Sequence, residues 1–136
     1  MLSSRPGVFY LDPLKAFKAN ASVHRTMYRT TDRAGKAIAV TGTMLAPRTS
    51  QHGPRPIIAF APGTQGLADR CAPSRRLAEG TEYEALPLKK LLDQGYAVVV
   101  TDYQGIGTPG AHTYMPRRAA ARRRPPPNRP PPARPN

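Results

Sequence analysis

Two short, unbroken apolar runs constrain this chain more than any other feature. Pro56-Ile57-Ile58-Ala59-Phe60-Ala61 is the first and Tyr96-Ala97-Val98-Val99-Val100-Thr101 the second. Each is short for a helix and is stopped by a glycine-rich loop. Continuous apolarity without alternation suits a strand covered on both faces, as in a parallel sheet. The first run ends in Pro62-Gly63-Thr64-Gln65-Gly66 and the second in Asp102-Tyr103-Gln104-Gly105-Ile106-Gly107. Between them, Tyr83, Leu86, Lys90 and Leu91-Leu92 recur at roughly helical spacing, which predicts a helix from about Thr81 to Gln94. Pro87 fits the first turn of a helix that begins close to it. Gly95 stands where a C-terminal cap glycine belongs. Strand, loop, helix, strand and loop make a β-α-β unit, and ligands in such sheets bind beyond the carboxyl ends of the strands.

Upstream, the pattern changes to antiparallel. Val23 to Thr30 and Ala37 to Leu45 are rich in β-branched residues, and Asp32-Arg33-Ala34-Gly35 joins them with a glycine suited to positive φ. Pro47 closes the second strand, and Arg48 to Arg55, with His52, reads as a polar loop. His24 on the first strand reads as structural. Residues 1–20, punctuated by Pro6, Gly7 and Pro13, read as an irregular lead-in with a short helical turn over Leu14 to Asn20. The expected fold class is α/β: an antiparallel hairpin followed by a β-α-β unit, over residues 21–115.

Composition matters mainly at the other end. The 136 residues carry a formal net charge of +13 and 17 prolines. Residues 116–136 hold eight of those prolines and seven arginines, with no acidic residue, so without them the charge is only +6. Pro125 to Pro127 and Pro130 to Pro132 exclude a helix or central strand, so 116–136 is expected to be a disordered tail. Such basicity often marks a nucleic-acid or acidic-surface partner. The tail lacks the interleaved aromatics on which bases stack, which ranks that alternative second. Cys71 is the sole cysteine, so no intrachain disulfide is possible. No apolar run reaches the roughly 18 residues of a membrane span. Met1 to Leu11 lacks the apolar core of a signal peptide, so a secreted parent would have lost its leader here or start from another codon.

Chemistry on such a sheet needs particular groups at the strand ends. Ester hydrolysis by a serine needs Gly-x-Ser-x-Gly on a sharp strand-to-helix turn, together with an oxyanion hole, an acid and a histidine. None of Ser3, Ser4, Ser22, Ser50 or Ser74 is flanked that way, and Ser74 in Ala72-Pro73-Ser74-Arg75 follows no strand. No phosphate loop is present, and Gly105-Ile106-Gly107 lacks the third glycine and helix of a dinucleotide fingerprint, so no cofactor is expected. His24, His52 and His112 have no second ligand at metal spacing, so no metal is expected. Asp102 follows a strand without an evident partner. The Gly63 to Gly66 loop reads either as a plain tight turn or as the loop after the third strand of an α/β-hydrolase, which supplies an oxyanion N–H.

Several separated segments resemble one family in order: the secretory lipases, of the lipase A type of α/β-hydrolase. They are Pro6-Gly7-Val8-Phe9-Tyr10, Arg25 to Asp32, Val40-Thr41-Gly42-Thr43, Ala61 to Gly66, Cys71-Ala72-Pro73-Ser74 and Gly95 to Gly105. The likeness covers about Pro6 to Tyr114. It implies a secreted carboxylic-ester hydrolase acting on triacylglycerols or similar esters, with an oxyanion donor near Thr64 or Gln65. It also implies a disulfide from Cys71 to a later cysteine, a partner this sequence lacks. After Tyr114 the family pattern gives way to Arg and Pro repeats. The nucleophile elbow, acid and histidine would lie downstream, so no catalytic residue can be named. The abrupt shift predicts out-of-frame reading of a GC-rich gene. The expectation is the N-terminal part of a hydrolase, inactive by itself, with Tyr96 to Thr101 left as an unpaired, aggregation-prone edge. Complementation by a second fragment is a further possibility.

Overall fold

The computed structural model describes residues 1–113, and the tail expected to be disordered, 116–136, lies outside them. Five strands form one mixed sheet: β1 (Ser3–Pro6), β2 (Ala21–Thr31), β3 (Ala37–Pro47), β4 (Ile57–Phe60) and β5 (Ala97–Thr101). Two helices lie between β4 and β5, α1 (Pro73–Glu79) and α2 (Ala85–Asp93). The sheet order is β1-β2-β3-β5-β4, antiparallel as far as β5 and parallel between β4 and β5. The α/β class and the hairpin followed by a β-α-β unit are therefore both present.

The hairpin forms where the β-branched pattern places it. Its turn is held by the Asp32 carboxylate, whose Oδ1 accepts from Ala34 N and Lys36 N at 2.8 and 2.9 Å, while Gly35 takes φ +82°. Gly42 lets β3 approach β5, since a Cβ there would collide with the Val100 carbonyl oxygen. The core lies between the sheet and the helices. Phe9, Leu45, Leu77, Leu88, Val98 and Val100 are all at most 1% exposed, each worth roughly 1.5–3 kcal/mol of burial. Ala85, Leu88 and Leu92 form the buried stripe of α2, with Leu86 on its exposed face. Gly95, at φ +92°, closes that helix through Gly95 N to Leu92 O.

Four expectations need correction. The lead-in is not irregular throughout, because Ser3–Pro6 pairs antiparallel with β2. No helical turn forms over Leu14 to Asn20. Instead Asp12 caps the backbone N–H groups of Ala16 and Phe17, and Tyr10 bridges Lys18. The helix expected from Thr81 starts at Ala85, and α1, seven residues with Leu77 as its buried apolar anchor, went unseen in a stretch that reads as polar. Finally, the two apolar runs exchange places. β5 is paired on both sides, by β3 and β4, and β4 is the strand with a single partner among the described residues. Ile57 is accordingly 68% exposed rather than covered on both faces. Apolarity marked both runs as strands, but their order was set by β5 crossing back between β3 and β4.

Candidate functional site

Both glycine loops leave the carboxyl ends of the parallel pair, on the same side. The loop after β4 carries Thr64 and Gln65. The loop after β5 begins at Asp102 and runs through Tyr103, Gly105 and Gly107. Gly63, Thr64, Gln65 and Gly66 face Cys71, Pro73, Tyr103, Ile106 and His112 across a shallow recess. The two candidate oxyanion residues are therefore adjacent to the second loop, which the sequence placed only by order.

Tyr103 joins the two loops. Its hydroxyl donates to the Pro62 carbonyl at 2.6 Å, and its backbone N–H donates to Thr101 Oγ1 at 3.0 Å. Tyr103 is held at φ +65°, a left-handed conformation that a bulky side chain adopts only at a cost. Burial pushes its phenol up from the ordinary value, reinforced by the negative Glu84 and by Tyr83. It therefore remains a hydrogen-bond donor at neutral pH.

The segment 81–84 grips the loop after β4 from beneath. Gly63 N donates to Glu84 Oε2 at 3.0 Å, and Gln65 Nε2 lies 2.5 and 2.6 Å from the two carboxylate oxygens of Glu82. Glu82 is only 5% exposed, and burial pushes its carboxyl up. Its bonds to the Gln65 side chain and to Glu84 N pull the other way. The Gln65 side chain is thus engaged, whereas the backbone N–H groups of Thr64 and Gln65 donate to no acceptor among the described residues. Of the Gln65 donors, the main-chain N–H is therefore the one without an acceptor among the described residues. No sequence signal pointed to Glu82 or Glu84, because neither sits in a motif and both act through the fold.

Asp102 does have partners, although none could be named in advance. It is fully buried and accepts from Ser74 N at 2.7 Å, Ser74 Oγ at 2.6 Å and Thr41 Oγ1 at 2.7 Å. Arg25 Nη2 donates to Ser74 Oγ at 3.2 Å. The Ser74 hydroxyl is thereby consumed inside a network, 2% exposed, with a carboxylate rather than a histidine as its acceptor. That burial gives it no access to a substrate. Cys71 is buried and free, and its Sγ lies close to Gly66. His24 and His52 are exposed and belong to neither loop. His112, by contrast, lines the recess, with Nδ1 2.7 Å from the Gln104 carbonyl. No group of three His, Cys, Asp or Glu side chains among the described residues could hold a metal ion. No helix among them is long and apolar enough to cross a membrane.

Solved structures share this arrangement. The closed state of Candida antarctica lipase A is similar with a TM-score of 0.61 and 25% identity, covering 75% of this chain and 25% of that one. A second structure of the same lipase gives 0.59 and 26% identity over 74% of this chain and 24% of the lipase. The rice cell wall degrading esterase LipA from Xanthomonas oryzae is similar with a TM-score of 0.55 and 24% identity, over 78% of this chain and 29% of the esterase. The chain thus spans about a quarter of the lipase and under a third of the esterase. No family model and no curated protein sequence matches it. The described residues have a partial α/β-hydrolase fold of the kind found in lipases and esterases.

Proposed function

We propose that residues 6–114 are the N-terminal part of a secreted carboxylic-ester hydrolase of the secretory lipase type, acting on triacylglycerols or similar esters. The observation that carries this reading is the loop Gly63 to Gly66. It stands at the carboxyl end of a parallel strand, beside the β5 loop, in a sheet similar to that of lipase A. When a nucleophile adds to an ester carbonyl, negative charge develops on the oxygen. Main-chain N–H groups fixed in place beforehand stabilise that charge, each worth about 3 kcal/mol. Thr64 N and Gln65 N are the donors this loop can offer. Their availability follows from the division of labour described above: Glu82 occupies the Gln65 side chain and Glu84 occupies Gly63 N.

The same reading makes the 136-residue polypeptide inactive by itself. None of its five serines stands in a nucleophile elbow, and loss of a triad serine or histidine typically costs roughly 10⁶ in turnover. A further parallel strand carrying the elbow would pair with the open side of β4, the one edge of the parallel half left free among the described residues.

Two measurements test this. The purified chain should not hydrolyse p-nitrophenyl butyrate above background. Saturable hydrolysis that disappears in Ser74→Ala would overturn the assignment. Translation of the DNA downstream of the codon for Tyr114 in the other two frames should reveal Gly-x-Ser-x-Gly. If neither frame contains it, out-of-frame reading of the tail is wrong.

A further inference from the structure

The contact between Glu82 and Gln65 is unusual in its detail. A single amide nitrogen lies 2.5 and 2.6 Å from both oxygens of one carboxylate, while the amide oxygen of Gln65 is buried with no partner among the described residues. An N–H···O bond is ordinarily about 2.7–3.2 Å long. An O–H···O bond between a carboxyl and an oxygen acceptor is ordinarily about 2.5–2.7 Å. Exchanging the nitrogen and oxygen of the Gln65 amide, which differ by only a half-turn of its terminal torsion, places its oxygen against the carboxyl at that shorter length. The exchange demands a proton on Glu82. The pair therefore has two forms, which differ in the proton and in which amide atom meets the carboxyl. In one, ionised Glu82 accepts from Gln65 N–H. In the other, protonated Glu82 donates to Gln65 Oε1.

We propose that Glu82 is a positioning residue for the Gly63–Gly66 loop, acting through an acid–amide pair with Gln65 that turns over when the carboxyl takes up a proton. Three features support this. Glu82 is 5% exposed, so water competes little for either form. It sits on the segment whose next acidic residue, Glu84, holds Gly63 N, so both ends of the loop hang from 81–84. Arg76 Nη2 reaches the Gln65 carbonyl at 3.4 Å, fixing the backbone from which the amide turns.

The charged and titratable groups facing Glu82 are few. Arg76 of α1 favours the ionised form, and Glu84 on its own segment opposes it. Tyr83 lies beside both carboxylates. The glycine loop contributes only the neutral Gln65. Burial, the leading influence, favours the protonated form. Turnover of the amide is therefore shifted upward from the ordinary glutamate value.

The catalytic meaning of this device rests on the oxyanion reading of the loop, but its existence does not, and the experiment is chosen accordingly. The side-chain NH₂ resonances of Gln65 in the ¹⁵N-labelled full chain are followed from pH 4 to pH 8. They should titrate with a midpoint above that of an ordinary glutamate, moving together with the backbone amides of Thr64 to Gly66. Glu82→Gln should abolish that titration while the remaining amide spectrum is unchanged. Glu84→Gln should keep it and move its midpoint down, because a like charge has been removed. Glu82→Ala should raise hydrogen exchange of the Gly63 amide, which donates to Glu84, about tenfold or more over Glu82→Gln. If Glu82→Ala fails to fold, the wild-type and Glu82→Gln titrations still decide the matter. Resonances of Gln65 that stay fixed across the range, or that titrate equally in Glu82→Gln, would overturn the proposal. Neither result depends on ester hydrolysis.

Discussion

The two loops that leave the parallel strands bury one carboxylate each, and they bury it differently. Asp102, at the end of β5, is met by three donors: a backbone N–H and two hydroxyls, all within 2.7 Å. These come from β3 and α1, so the carboxylate ties three elements together. Glu82, under the loop after β4, is met by one side-chain amide and by Glu84 N at 3.2 Å. A buried charge is tolerated when its oxygens are satisfied and becomes costly when they are not. The β5 loop is thus locked to the body of the sheet, and the β4 loop hangs from an adjustable pair. The fixed side and the adjustable side face each other across the recess, with the Tyr103 hydroxyl reaching from one to the other.

The sharpest way to break this contrast is to remove the lock. Asp102→Ala leaves the buried N–H and hydroxyl of Ser74 and the half-buried hydroxyl of Thr41 without this acceptor, at about 1 kcal/mol each. The expected loss is about 3 kcal/mol, read as a lower urea midpoint by circular dichroism. A chain as stable as wild type would mean that the network is ornamental. The glycines provide the next test. Gly105 sits at φ +71°, and a Cβ there would meet His112 N at 2.5 Å, which is backbone and cannot move aside. Gly63 would meet only the Tyr83 hydroxyl, the tip of a side chain that is 61% exposed and free to swing out. Gly105→Ala should therefore cost about 2 kcal/mol, and Gly63→Ala under about 1 kcal/mol. Equal costs in the same urea titration would erase the distinction between the loops. Ser74→Ala removes one of the donors to Asp102 and should cost about 1 kcal/mol.

The smallest expected effect concerns pH. Glu82 is raised in the folded state, chiefly by burial. A carboxyl raised on folding binds its proton more tightly in the native chain than in the unfolded one. Stability is then highest below the unfolded value, and declines as pH rises from there through the folded value. Glu82→Gln cannot ionise, so its melting temperature relative to wild type should climb across that window and level off above it. A difference that is flat with pH would place the titration elsewhere.

Much of this fold could be read from residue order. β-Branched runs with Asp32 to Gly35 between them gave the hairpin, two apolar runs gave β4 and β5, and Gly95 gave the end of α2. These are local matters, decided by side-chain shape and by the freedom of glycine at positive φ. The seven-residue α1 escaped notice because a helix so short shows barely two turns of pattern, with Leu77 as its buried anchor. It is stable here through packing on the sheet rather than through propensity.

The candidate site divides in the same way. The loop carrying Thr64 and Gln65 was legible because a glycine loop after an apolar strand is a local signature, and its place beside the recess follows from the topology, but the two residues were singled out only through the family resemblance. Glu82, Glu84 and the partners of Asp102 were not legible. Ser74 and Asp102 are 28 positions apart, Thr41 and Asp102 are 61 apart, and no periodicity connects them. Sequence alone determined that β2 to β5 are strands, where the hairpin turns, and that no serine stands in a nucleophile elbow. Only the tertiary structure decided that β5 lies between β3 and β4, that Ser74 is buried against a carboxylate, and that Gln65 is held by Glu82. Hydrogen bonds and strand order depend on which surfaces the folded chain brings together, and short-range pattern carries no record of that.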